Sequence, residues 1–342
     1  VDRLVAPEGA PHVVAPEGAP HGIAPQGAPH GIAHRHVALV GPTASGKSAL
    51  GLELARRRPE AELVSVDSMT VYRGMDIGTA KPSDAARAEV RYHLLDVADP
   101  DEEFALPRFQ AEARRALEDI EGRKRRALLV GGTGLYLRAV VDQLSIPGRF
   151  PEVAAGLEAE ATQPGGTERL HARLAELDPV AAARMEPTNQ RRVVRALEVT
   201  MGAGRPFSSF GPGLDAYPST PFALVGIRFD PTVHDRRIEE RFRALLDDGF
   251  VEEVRRLAGG PAGLSRTARQ ALGYRELLAH VEDGVPLDQS VNEAVRRTRA
   301  FARRQWAWFR RDPRIVWLDP SGDVLAQLLE VWDACPGSEV GD

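Results

Sequence analysis

The sequence predicts an α/β protein, a parallel sheet flanked by helices and interrupted by a helical insertion. Three observations predict it. Short apolar runs alternate with amphipathic stretches along much of the chain, the pattern of strand–loop–helix units that build parallel sheets. The first of those units carries LVGPTASGKSAL (39–50), in which Gly41, Gly46, Lys47 and Ser48 spell G-x-x-x-x-G-K-S. That loop, between a strand and a helix, makes the sheet P-loop NTPase-like. From about Pro147 to Asp215 the strand signal stops and helix-rich sequence takes over.

The elements follow in order. Residues 5–31 repeat a nine-residue unit three times, VAPEGAPHV, VAPEGAPHG and IAPQGAPHG. Pro and Gly recur where a helix or strand needs neither, so 1–35 reads as a disordered tail or as upstream sequence included by a doubtful start site. Order begins near His36 with HVALV (36–40), a short buried strand. The phosphate loop and an amphipathic helix (48–58) follow. ELVSVD (62–67) reads as a second strand. A helix around 109–120 precedes a third strand, RALLVGG (126–132). These belong to the first part of the core, 36–146, and the insertion spans 147–215. FALVGIRF (222–229) then reads as a strand returning to the sheet. Long helices around 231–258 and 287–311 and a late strand in RIVWLD (314–319) complete the second part, 216–342.

Composition narrows the function classes. Of 342 residues 43% are hydrophobic, enough for a sizeable core, and no apolar run of about 18 residues exists to span a bilayer. No basic segment followed by an apolar one marks a secretory leader. A single cysteine, Cys335, excludes an internal disulfide and fits a reducing cytoplasm. The formal charge of −5 means that any nucleic-acid contact must come from local basic patches. Lys47, Lys81 and Lys124 are the only lysines among 44 Lys and Arg residues, which leaves 41 arginines. Such a bias reflects base composition of the genome more than a binding device, and it weakens arguments from arginine clustering.

The loop carries chemistry of its own. The loop Gly41, Pro42, Thr43, Ala44, Ser45 and Gly46 turns its backbone N–H groups (Pro42 has none and shapes the turn), with the following helix N-terminus, toward one anion. Lys47 reaches its terminal phosphate and Ser48 ligates Mg²⁺. The motif specifies phosphate binding without specifying a nucleotide. A nucleotide hydrolase usually carries an acid at the end of a later apolar strand, but here ALLV runs into Gly131-Gly132-Thr133-Gly134. The candidate acid is instead Asp67, at the end of the second strand, where strand ends open into the ligand crevice. An isolated aspartate there reads more readily as a turn-forming residue or a helix cap, and the surrounding stretch shifts that balance.

Together these stretches resemble the tRNA dimethylallyltransferase family, also called tRNA isopentenyl transferases. The resemblance rests on GPTASGKS (41–48), SVDSMTVYRGMDIGTAKPS (65–83), YHLLDVADPDEEF (92–104) and LLVGGTGLYLRA (128–139). It continues through LDPVAAARMEPTNQRRVVRALEV (177–199), RIEERF (237–242), QALGYRE (270–276) and FARRQWAWFR (301–310), in family order over nearly all of 36–319. It implies transfer of a dimethylallyl group from its diphosphate to N6 of the adenosine immediately 3′ of a tRNA anticodon, with release of diphosphate. The loop would then hold the diphosphate of a prenyl donor, with Mg²⁺ near Ser48. The family pattern makes Asp67 the base that takes a proton from the poorly nucleophilic adenine amine. It places Thr133 near that amine and Arg241 on the diphosphate. The resemblance also maps tRNA contacts onto Asp67, Ser68, Met69 and Thr70, onto Arg191, Arg192, Val193, Val194 and Arg195, and onto Gln270, Ala271, Leu272, Gly273, Tyr274 and Arg275. Tyr274 and Arg275 supply an aromatic ring and a guanidinium suited to bases and phosphates.

Residues 286–314 hold eight arginines against Asp288, Glu293 and Asp312, a local charge of +5, with Trp306, Trp308 and Phe309 interleaved. That segment reads as a nucleic-acid-facing stripe, although aromatics at helical spacing also describe a helix with rings in the core. One departure stands out. An arginine common in the first insertion helix is Ala154 here, and Arg149 lies five residues earlier. A P-loop small-molecule kinase shares the loop, the Mg²⁺ and the second-strand acid but needs no basic aromatic helix. A prenyltransferase for free adenine nucleotides needs no insertion, and a non-enzymatic RNA-binding module would leave the diphosphate site unused. The expectation is a cytoplasmic enzyme that acts on the anticodon stem-loop of tRNA, as a monomer without membrane contact.

Overall fold

The computed structural model describes residues 34–335, so the repeat segment of 1–33 and the last seven residues lie outside the described part. Strand β1 (His36–Val40) is wholly buried. It feeds the phosphate loop and helix α1 (Lys47–Arg57). Then come β2 (Ala61–Val66), α2 (Asp84–Glu89), the two-residue β3 (Tyr92–His93), α3 (Leu106–Gly122), β4 (Arg126–Gly131) and α4 (Gly134–Val141). Helices α5 (Pro151–Ala161), α6 (Gly166–Leu177), α7 (Pro179–Ala182) and α8 (Gln190–Ala203) follow without a strand. The chain re-enters the sheet through β5 (Phe222–Ile227). It continues with α9 (Pro231–Asp247), α10 (Phe250–Ala258), α11 (Tyr274–Asp283), α12 (Leu287–Phe309), β6 (Val316–Leu318) and α13 (Val324–Ala334).

The six strands lie in the order β3-β2-β4-β1-β5-β6, and every pairing is parallel. Alternation along each strand sends neighbouring side chains to opposite faces. Ala38, Val40, Val64, Val66 and Leu129 therefore enter one apolar core, and Val37, Leu39, Leu63 and Leu128 enter the other. Helices cover both faces, as a fully buried parallel sheet requires. Helices α5, α6, α7 and α8 bury a third cluster around Leu157, Leu170, Leu174, Val193 and Leu197.

The helical stretch read as continuous over 231–258 is two helices. Gly249, at φ +93°, takes a left-handed conformation that ends α9 and caps α10. Helix α4 left no amphipathic pattern because Leu137, Arg138, Ala139, Val140 and Val141 are all buried. Among the described residues no helix is long and apolar enough to cross a membrane.

The two passages into and out of residues 142–221 are tied together at their root. Asp142, just past α4, receives Arg138 and Arg314, the latter at 2.6 Å. Arg138 also donates to the carbonyls of Leu214 (3.0 Å) and Ala216 (2.6 Å), and Arg314 donates to that of Pro218 (2.6 Å). Both guanidinium groups lie over the ring of Tyr217.

Candidate active site

Register brings three loops to one edge of the sheet. Gly131 pairs with Val40 on one side and with Val66 on the other. One residue further on, Gly41, Asp67 and Gly132 emerge side by side. The phosphate loop itself alternates hand: Ala44 sits at φ +60° and Gly46 at φ +88°. That alternation turns successive backbone N–H groups toward a common point. Helix α1 starts there with no acidic residue in its first turn and no side-chain cap, so its N-terminal N–H groups remain open to an anion.

Two cations and one carboxylate meet above this cradle. The Lys47 ammonium donates to the Pro42 carbonyl at 3.2 Å. Although part of its surface faces solvent, dense surroundings push its pKa down to about 8; the nearby Arg241 guanidinium pushes the same way and Asp67 opposes. Arg241, from α9, is itself held below its usual value by burial, again with Asp67 opposing. The pocket thus carries an excess of poorly solvated positive charge, an arrangement completed by a bound anion. Asp67 is half-buried, and its Oδ1 accepts from the Met69 N–H at 2.8 Å. The turn-forming reading holds through that bond, and Asp67 also lies close enough to Lys47 and Arg241 to act on both electrostatically.

Thr133 is the N-cap residue of α4, half-buried, with its side chain making no capping bond. Each glycine around it accommodates a close neighbour. A Cβ on Gly131 would lie 2.1 Å from the Val66 carbonyl, one on Gly132 2.4 Å from Gln305 Nε2, and one on Gly134 2.3 Å from the Trp308 ring. Tyr136, on the same helix, packs against Phe109 at a 4.6 Å centroid distance. Burial, helped by Tyr72 and Asp67, pushes its phenol up to about 12, with Arg149 opposing. Exposed Arg149 thus lies within electrostatic reach of Tyr136, while Ala154 sits on α5.

Several residues singled out for contact are otherwise engaged. The Thr43 N–H, counted among the anion donors, already donates to Gln305 Oε1 at 2.8 Å. Thr70 is buried and shares a hydrogen bond of 2.9 Å with Ser65. Val193 and Val194 face the insertion's own core, and Ala271 and Gly273 are buried. Tyr274 cannot stack on a base. Its ring is fully buried against Phe250, and its hydroxyl donates to Glu253. Arg195 spends one nitrogen on the Pro147 (2.9 Å) and Gly148 (3.0 Å) carbonyls and pairs with Glu198. Ser68, Met69, Arg191, Arg192, Gln270, Leu272 and Arg275 retain accessible surface. The basic stripe is largely neutralised as well. Arg296, Arg297, Arg299, Arg303 and Arg314 pair with acids, which leaves Arg304, Arg310 and Arg311 without one among the described residues.

Three residues beyond the sequence reading build the site. Buried Glu253 accepts from the N–H groups of Asp76 (2.9 Å), Ile77 (2.8 Å) and Gly78 (3.1 Å). Lys81 donates to the Tyr72 carbonyl (2.6 Å), Asp76 (2.8 Å) and Asp96 (2.5 Å). Together they shape the loop that follows Asp67. Lys81 had a signal: in an arginine-dominated chain, a retained lysine marks a place where a compact ammonium with three donors fits and a planar fork does not. Gln305, on α12, is the third. A cleft of about 630 Å³ lined by Arg56, Arg91, Arg123 and Arg125 lies at the opposite end of the strands, and its guanidinium groups are spent on Glu89, Glu62, Asp119 and the Pro59 carbonyl.

A sequence model of the family described as IPP transferase matches residues 70–312. A tRNA dimethylallyltransferase of Acidothermus cellulolyticus is 48% identical over 305 residues, which covers 87% of this chain and 94% of that one. The full-length tRNA isopentenylpyrophosphate transferase from Bacillus halodurans has a crystal structure that aligns with a TM-score of 0.62 at 33% identity, covering 88% of this chain and 97% of that one. A eukaryotic dimethylallyltransferase, seen crystallographically acting on tRNA, aligns with a TM-score of 0.69 at 26% identity, over 88% of this chain and 76% of that one.

Proposed function

Because this chain belongs to the IPP transferase family, we propose that it moves a dimethylallyl group from dimethylallyl diphosphate to N6 of the adenosine immediately 3′ of the anticodon. It is an enzyme that prenylates tRNA. The observation that carries the finer reading is the convergence, at one sheet edge, of an anion cradle, two poorly solvated cations and a single carboxylate. A nucleotide hydrolase would draw on an acid at the end of β4, and Gly-Gly-Thr-Gly stands there.

The exocyclic amine of adenine is a weak nucleophile because its lone pair is delocalised into the ring. As its nitrogen bonds the allylic carbon, the carbon–oxygen bond to diphosphate breaks and one N6 proton passes to Asp67 Oδ2. The Met69 N–H occupies Oδ1 and fixes the carboxylate, which leaves the proton to Oδ2. Charge gathering on the leaving diphosphate is met by the loop N–H groups, Lys47 and Arg241, which are in place before the reaction begins. Thr133, whose hydroxyl makes no capping bond, is assigned to hold the amine. The target base must leave the anticodon stack to reach this edge, and Arg191, Arg192, Gln270 and Arg275 offer accessible polar groups to the surrounding loop.

Mg²⁺ fits the donor set. Exposed Ser48 brings a hydroxyl oxygen to the start of α1, beside the anion cradle. Mg²⁺ commonly takes one or two protein oxygens and completes its shell with phosphates and water. There it would supply further charge neutralisation for the departing diphosphate. The reading places the enzyme in the cytoplasm with its tRNA, acting as a monomer.

The test is nucleoside mass spectrometry of tRNA after incubation with dimethylallyl diphosphate. A prenylated adenosine next to the anticodon, released diphosphate and no use of γ-labelled ATP are expected. Prenylation of free adenine nucleotides in preference to tRNA would overturn the acceptor.

A further inference from the structure

One side chain touches both loops that frame the reaction. Gln305 is 7% exposed, on the face of α12 turned to the sheet edge. Its Oε1 accepts from the Thr43 N–H at 2.8 Å and its Nε2 donates to the Gly132 carbonyl at 2.9 Å. Both ends of the carboxamide are committed, so its orientation is unique. The strand ladder between β1 and β4 ends at the Val40–Gly131 pair. Past that pair the two loops part, one toward the diphosphate and the other toward Thr133, and Gln305 supplies the next link between them. Close packing leaves no slack. A Cβ on Gly132 would lie 2.4 Å from Gln305 Nε2 and 3.1 Å from the Gly41 carbonyl.

We propose that Gln305 is a positioning residue that holds the donor loop and the acceptor loop at the separation prenyl transfer needs. The proposal rests on the prenyl-transfer reading. Displacement at an allylic carbon requires the amine and the leaving oxygen to sit at opposite ends of one reacting line, and a misplacement of about 1 Å costs about 100-fold in rate. In this role Gln305 bonds the protein at both ends of its carboxamide and takes no direct part in either substrate's affinity. It acts on their relative placement.

The experiment uses the full chain with Gln305→Met, which keeps length and volume and removes both hydrogen bonds. Single-turnover rate at saturating tRNA and dimethylallyl diphosphate is measured beside separate dissociation constants for tRNA and for a non-reactive donor analogue. The expected result is a rate about 30- to 100-fold lower, with both dissociation constants within about threefold of wild type. An unchanged rate in the folded variant overturns the proposal. So does a parallel loss of rate and donor affinity, which would make Gln305 part of the cradle. Should Gln305→Met fail to fold, Gln305→Asn, too short to span both partners, is held to the same split. A wild-type chain that transfers no prenyl group to tRNA would sink the underlying reading, whereas an active wild type matched by an equally active variant would sink only the role of Gln305.

Discussion

Raising the pH from about 7.5 to about 9.5 titrates Lys47 in the empty loop and leaves it charged in the occupied one. The empty-site pKa is about 8, because the ammonium sits among protein atoms with Arg241 beside it. A diphosphate in the cradle replaces lost hydration with opposite charge and returns the group at least to its ordinary value of 10.5. Over this range the donor's own phosphates are already ionised, their second pKa being near 6. Linkage then requires affinity to fall about tenfold per pH unit once Lys47 has begun to lose its proton, about 20-fold over the whole range. At about pH 9 close to one proton is taken up per donor bound. Calorimetric titration of a non-reactive donor analogue, repeated in buffers of different ionisation enthalpy, reads both quantities. Lys47→Arg, permanently charged, should bind more weakly but with a flat profile. Flat affinity and no proton uptake in the wild type would refute the argument. The sign for folding runs the other way from that of an ordinary paired lysine. Between pH 8 and 10.5 the unfolded chain still holds the proton that the folded one has released, so the empty protein gains stability as pH rises through that window.

The remaining predictions follow from single contacts. Asp67→Asn preserves the acceptor for the Met69 N–H and should lower turnover by about 100- to 10,000-fold with donor affinity little changed; single-turnover kinetics decide it, and near-normal turnover would remove Asp67 as the base. Lys81→Arg forces a planar fork among three acceptors arranged for an ammonium and should cost about 1–3 kcal/mol in a denaturant melt, so an unchanged midpoint would contradict the fit. Arg191→Ala and Arg192→Ala should each flatten the salt dependence of tRNA binding by about one unit of slope. Arg195→Ala, which loses the Pro147 and Gly148 carbonyls, should instead lower the melting temperature and leave the slope alone.

Five of the six strands were legible because they stand out as short apolar runs, and the crevice because strand ends carry the motifs; the two-residue edge strand β3, only half-buried, left no such run. What stayed hidden depends on partners distant in sequence. Nothing local marks Glu253 as the anchor of residues 76–78, or Gln305 as a bridge to residues 43 and 132, since each is a common residue on a helix. Tyr274 misled for the same reason. A Gly-Tyr-Arg triplet looks suited to bases, but the ring fills the space that Gly78 vacates: a Cβ there would lie 2.2 Å from Phe250 and 2.5 Å from Tyr274. The arginines of α12 misled through composition, because their acidic partners lie mostly on other elements, among them Asp235 and Glu239 of α9. Charge counted along a chain does not reveal charge cancelled across it.

The paired passages rooted at Asp142 carry a mechanical consequence. An appendage on one strand of chain can twist and tilt freely, but one on two strands knotted at the base has a fulcrum. Here that fulcrum is Arg138, Asp142 and Arg314, with the carbonyls of Leu214, Ala216 and Pro218 gripped between them. A torque on the four-helix appendage would enter the core through these contacts. It loads α4 through Arg138, and the far end of that short lever is Thr133.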